Sequence, residues 1–145
     1  MYEFKLVAVL GAGAMGNGIA QVTAQAGYQV IMQDITEEAL EKGINTIKKS
    51  LARLVNRERM SQAEADGIVA RIKTSVDLED AVKDADLVIE AVPENLELKL
   101  DIYKKLDKFC KAETIFGSNT STLPITVLAP ATNRPEQVCG IHFMN

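Results

Sequence analysis

The chain switches between two hydrophobic periods. Short apolar runs of strand length alternate with longer stretches in which apolar residues return every three or four positions. Residues 5–10 form the first run, apolar without alternation, as in a strand covered on both faces. Residues 14–26 carry Met15, Ile19, Val22 and Ala26 on one predicted helical face. Gly27 follows in a position suited to a left-handed helix end. Residues 28–33 predict a second strand. Thr36 then reads as an N-cap, with Glu37 and Glu38 suited to the positive end of a helix. Leu40, Ile44, Ile47, Leu51, Leu54 and Val55 mark an amphipathic helix of about five turns.

Residues 61–72 predict another helix, opened by Ser61 with Glu64 at capping-box spacing. Residues 71–75 predict a short strand and residues 86–92 a buried one. Leu96, Leu100, Tyr103, Leu106 and Cys110 mark the next helix, capped by Asn95. Residues 114–117 and 138–142 complete the strands, with a short helix near 124–128 between them. Strands alternating with helices predict an α/β fold: a doubly wound, mainly parallel sheet with right-handed crossovers. The helical excursion after the second strand is unusually long. Residues 1–145 are expected to form one dinucleotide-binding domain of the Rossmann type.

Composition narrows the function classes. At 145 residues, 47% hydrophobic and 25% charged, the chain suits one globular domain. No apolar run approaches the ~20 residues that span a bilayer, and the start lacks the pattern of a signal peptide. A cytoplasmic protein with no membrane partner is expected. The net charge of −4 provides no broad basic field for nucleic acid. Cys110 and Cys139 form no CxxC pair and there is one histidine, so no metal site is expected; both thiols are read as reduced and buried.

Gly11-Ala12-Gly13-Ala14-Met15-Gly16 matches G-x-G-x-x-G between the first strand and the first helix. Gly11 allows a tight turn, Gly13 lets backbone approach a pyrophosphate, and Gly16 brings helix and sheet together. The helix-start N–H groups then meet the phosphates. Asp34 closes the second strand, where a carboxylate accepts the ribose hydroxyls and repels a 2′-phosphate. This favours NAD over NADP; FAD suits the same turn less well.

Ligands in such sheets lie beyond the carboxyl ends of the strands. That edge carries Asp34, then Pro93-Glu94-Asn95, then Ser118-Asn119-Thr120-Ser121, then His142 with Asn145. His142 can take a proton from an alcohol while a nicotinamide accepts hydride. On position alone a structural role is the commoner one for such a histidine, and Ser118–Ser121 can also be a turn that satisfies its own backbone.

Taken together, Gly11–Gly16 with Asp34, the Asp86–Ala91 run, Glu94-Asn95, Ser118–Ser121 and Gly140-Ile141-His142-Phe143-Met144-Asn145 resemble the L-3-hydroxyacyl-CoA dehydrogenases. The resemblance covers the whole chain, in order. It implies oxidation of the 3-hydroxyl of an (S)-3-hydroxyacyl-CoA by NAD, or the reverse, in fatty acid or butanoate metabolism. It implies that His142 is the general acid/base, that Ser121 bonds the substrate oxygen near the nicotinamide, and that Asn145 polarises that oxygen or holds the nicotinamide ribose. It further implies that Ala91, Glu94 and Lys99 line the cofactor site and that Ser50 and Arg57 contact CoA. The cluster Lys48, Lys49, Arg53, Arg57 and Arg59 agrees with a phosphate-bearing tail, and equally with a solvated helix face.

Family members continue beyond the position of Asn145 with a glutamate that orients the histidine and a helical domain that closes over substrate and forms the dimer. Without them, His142 is expected to be poorly oriented and the chain alone weakly active or inactive. Two other readings compete: a non-catalytic NAD-binding or structural protein of the same fold, and a β-hydroxyacid dehydrogenase acting on a free acid. The latter uses a catalytic lysine signature not found here.

Overall fold

A computed structural model describes residues 3–143. Six parallel strands form one sheet: β1 (Leu6–Leu10), β2 (Gln29–Gln33), β3 (Ile72–Ser75), β4 (Leu87–Glu90), β5 (Ile115–Ser118) and β6 (Val138–Gly140). Their spatial order is β3-β2-β1-β4-β5-β6, so the strand order reverses direction between β1 and β4. The helices are α1 (Ala14–Gln25), α2 (Glu37–Asn56), α3 (Gln62–Ala70), α4 (Leu78–Val82), α5 (Leu96–Phe109) and α6 (Ile125–Leu128).

The unbroken apolar run of β1 feeds two cores at once. Val7 and Val9 join Ile19, Ala20, Ile47 and Leu51 under α1–α3. Ala8 and Leu10 point the other way, joining Val82, Tyr103, Leu106 and Leu128 under α4–α6. This is the period-two geometry of a strand between two helical layers.

Local signals hold at the helix starts. Thr36 accepts from the Ala39 N–H at 3.1 Å, Ser61 from Glu64 at 3.1 Å and Asn95 from Leu98 at 3.0 Å. Gly27 has φ +102°, the left-handed conformation expected after α1. The long helical excursion is α2, 20 residues, followed by α3.

Three expectations need correction, and one helix lies outside them. The face of α1 is rotated: Val22 is half exposed, and the buried stripe is Gly16, Asn17, Ile19, Ala20 and Ala24. Small residues win because they allow α1 to lie close against the sheet. The helix α4 escaped periodicity because it is only five residues long; Asp77 caps it, accepting from Asp80 at 2.9 Å. The last strand stops at Gly140, leaving His142 beyond the ladder. Cys110 is buried but Cys139 is exposed, because β6 is an edge strand with one open face.

Candidate functional site

The turn between β1 and α1 is built by its glycines in three different ways. Gly11 has φ +105°, and a side chain there would meet the Ala91 carbonyl oxygen at 2.6 Å. A Cβ on Gly16 would lie 1.9 Å from the Gly11 carbonyl oxygen, so only glycine lets α1 start so close to the turn. A Cβ on Gly13 would meet no protein atom within 4 Å. Gly13 is therefore bare toward open space, which is the approach a pyrophosphate needs at the N-terminus of α1. The residues fit a dinucleotide.

That space belongs to a cavity of about 1110 Å³ along the carboxyl edge of the sheet, at the upper end of ligand pockets. Gly11, Gly13, Ala14 and Met15 form its floor near the sheet centre. On the β2–β3 side it is bounded by Asp34, Ile35 and Val76. On the β5–β6 side it is bounded by Asn119, Ser121, His142 and Phe143. Ala91 and Glu94 follow β4 between the two, and Leu98 and Ile102 of α5 complete the wall.

Asp34 is half-buried. Its Oδ2 accepts from the Ala12 N–H at 2.9 Å and its Oδ1 from its neighbour Ile35 at 2.7 Å. Each oxygen keeps a further acceptor position for a ribose hydroxyl. Ile35 is 84% exposed, an unusual state for isoleucine, and with Val76 it gives that end an apolar rim. Sequence reasoning missed both. The signal for Ile35 is an apolar residue between two polar ones, outside either period.

Glu94 presents a carboxylate whose Oε2 accepts from Thr120 at 2.8 Å and Thr122 at 2.9 Å, while Oε1 accepts from Lys99 at 3.3 Å. Burial alone would raise its pKa. The two hydroxyls and the Lys99 ammonium outweigh that and hold it below the ordinary glutamate value. Ser121 and His142 are exposed, and among the described residues neither side chain has a hydrogen-bond partner. The chain around His142 is nonetheless fixed on both sides: the Ile141 N–H donates to the Ser118 carbonyl at 2.9 Å, and the Phe143 N–H to Asn119 Oδ1 at 2.8 Å. Ile141 also packs over Gly117, where a Cβ would come within 2.3 Å of its Cδ1. The backbone beside His142 is thus held by two hydrogen bonds, while the imidazole itself has no partner among the described residues.

A family model described as "3-hydroxyacyl-CoA dehydrogenase, NAD binding domain" matches residues 6–145. The chain belongs to this family. Among its relatives, a Bacillus subtilis protein named "Probable 3-hydroxybutyryl-CoA dehydrogenase" is 48% identical over 143 residues, covering 99% of this chain and 50% of the relative. The mitochondrial hydroxyacyl-coenzyme A dehydrogenase of Sus scrofa is 42% identical, covering 97% of this chain and 46% of that protein. The crystal structure of (S)-3-hydroxybutyryl-CoA dehydrogenase from Ralstonia eutropha superposes with a TM-score of 0.95 at 43% identity, over 99% of this chain and 50% of that one. The chain thus spans about half the length of the relatives it matches.

In this 3-hydroxyacyl-CoA dehydrogenase NAD-binding domain, the residues expected at the site separate into three groups. Gly11, Gly13, Ala14, Met15, Asp34, Ala91, Glu94, Ser121 and His142 line one cavity. Ala12, Gly16 and Lys99 are buried behind that lining, Lys99 completely. Ser50 and Arg57 sit on and just after α2, half-buried and exposed respectively, and neither is part of the cavity wall. Asn145 lies outside the described residues.

Proposed function

We propose that the chain is the cofactor-binding part of a dehydrogenase that interconverts (S)-3-hydroxyacyl-CoA and 3-oxoacyl-CoA. The observation that carries this reading is the sharing of one cavity by the glycine turn, Asp34, Ser121 and His142. NAD, when bound, supplies the acceptor for the hydride from C3 of the substrate. The turn N–H groups hold its pyrophosphate and Asp34 its adenosine ribose, with Ile35 and Val76 against the base.

His142 takes the proton of the 3-hydroxyl during oxidation and returns it during reduction. Its free, solvent-reached imidazole suits that exchange. Ser121 donates to the substrate oxygen, and Asn145 acts on the same oxygen or on the nicotinamide ribose. Ala91 and Glu94 contact the cofactor directly, and Lys99 acts there through Glu94. Ser50 and Arg57, the latter part of the basic cluster at the end of α2, meet CoA.

We further assign the protein to fatty acid or butanoate metabolism in the cytoplasm, with residues 1–145 as a single domain. We expect a helical domain of the kind found in full-length relatives to close over the acyl chain and make the dimer. No helix among the described residues is long and apolar enough to cross a membrane.

Titration calorimetry with NADH, NADPH and acetoacetyl-CoA tests this reading. NADH is expected to bind and NADPH not. Equal binding of the two would sink the assignment of Asp34, and a chain that binds neither would sink the proposal.

A further inference from the structure

Glu90 ends β4 inside the sheet and is fully buried. A lone carboxylate there would be very costly, so its partners matter. Oε1 accepts from the Ser118 hydroxyl at 2.7 Å, and Oε2 from Lys99 Nζ at 3.0 Å and the Val92 N–H at 2.9 Å. Its backbone carbonyl accepts from the Asn119 N–H at 2.9 Å. Lys99 is equally buried and reaches on to Glu94, which ties down Thr120 and Thr122. Asn119 in turn fixes the Phe143 N–H next to His142.

One buried residue therefore connects three segments: its carboxylate holds the loop after β4, the end of β5 and, through Lys99 and Glu94, Thr120 and Thr122, while its carbonyl holds Asn119 and so the chain carrying His142. All of these bonds lie on the Glu94–His142 side of the cavity, and none involves Asp34, Ile35 or Val76. A buried ion pair contributes little stability beyond what apolar residues of the same volume would give. Its gain here is fixed geometry. Neither the glycine turn nor the proposed proton transfer requires Glu90.

We infer that Glu90, with Lys99 as its counter-ion, is a positioning residue that sets the nicotinamide half of the cofactor site and leaves the adenosine half alone. This rests on the proposed function above. Glu90→Gln keeps the shape and an acceptor for Ser118, but aims an amide donor at Lys99 or the Val92 N–H. Lys99, and through it Glu94 with Thr120 and Thr122, then loses its carboxylate anchor, while the Glu90 carbonyl still holds the Asn119 N–H. The double variant Glu90→Gln/Lys99→Met removes both charges and so leaves no unpaired ammonium in the core.

The test compares NADH with ADP, which carries adenosine and pyrophosphate but no nicotinamide riboside, and follows thermal unfolding in parallel. Misplacement of a contact by about 1 Å is enough for large losses, so NADH affinity is expected to fall roughly tenfold or more in both variants. ADP affinity is expected to stay within about twofold, as for a distant independent site. The double variant is expected to recover melting temperature without recovering NADH affinity. Parallel loss of NADH and ADP binding, or a folded double variant with wild-type NADH affinity, would overturn the inference alone. A wild-type chain that binds neither ligand overturns the dinucleotide reading, and this inference with it.

Discussion

Replacing Asp34 by alanine probes the firmest chemical assignment in the molecule. The carboxylate spends one acceptor position of each oxygen on the chain itself, through Ala12 and Ile35. Asp34 lines the cavity, and in the proposed complex its remaining positions would accept from the ribose hydroxyls. Hydrogen bonds to a charged acceptor are worth roughly 1.5–3 kcal/mol each. Two at the lower bound give about 3 kcal/mol, or roughly a hundredfold in Kd. Asp34→Asn retains a single carbonyl acceptor and no charge, so roughly a tenfold loss is expected, together with weaker exclusion of NADPH. Calorimetric titration of both variants with NADH and NADPH measures this directly. Thermal unfolding separates ligand loss from turn damage, since the Ala12 N–H also loses its partner in Asp34→Ala. An Asp34→Ala protein that binds NADH as the wild type does would refute the ribose assignment.

Two other outcomes follow from the described geometry. Gly13→Ala is expected to fold with unchanged melting temperature and lose NADH binding, because its Cβ enters only the ligand's space; Gly16→Ala is expected to lose roughly 1–3 kcal/mol of stability, because its Cβ meets backbone. Thermal melts with and without NADH distinguish them, and equal melting temperatures would contradict the contacts. Burial alone would raise the pKa of Asp86, but Lys111 and the N–H groups of Leu6 and Lys5 hold it down to about 2. A pKa depressed by folding stabilises above the unfolded value near 3.9 and is lost as pH falls toward 2, so Asp86 contributes about 2 kcal/mol at neutral pH and about half of that at pH 3. Urea unfolding of wild type and Asp86→Asn should show the gap narrowing between pH 5 and pH 3; a constant gap would exclude the electrostatic account.

What could be read from the sequence was local. The strand–turn–helix–strand unit ending in Asp34, and the caps Thr36, Ser61 and Asn95, depend on residues within a few positions of one another. Apolar continuity in β1 and β4 also announced burial on two faces. What escaped was set by distant partners. Glu90 falls inside the strand expected over residues 86–92, and only Ser118, 28 residues on, and Lys99 explain a buried charge there. Asn119 looked like part of a polar turn until Phe143 came to rest on it. Val22 misled because helical spacing identifies a stripe without saying whether large or small residues face the sheet.

The hydrogen bond from the Phe143 N–H to Asn119 also couples two side chains of the cavity. The chain around His142 is fastened on one side to the Ser118 carbonyl at the end of β5 and on the other to Asn119, two residues before Ser121. Ser121 and His142 therefore take their placement from one short stretch of chain, Ser118–Ser121. A substitution that shifts this stretch would shift both side chains together relative to the phosphate turn.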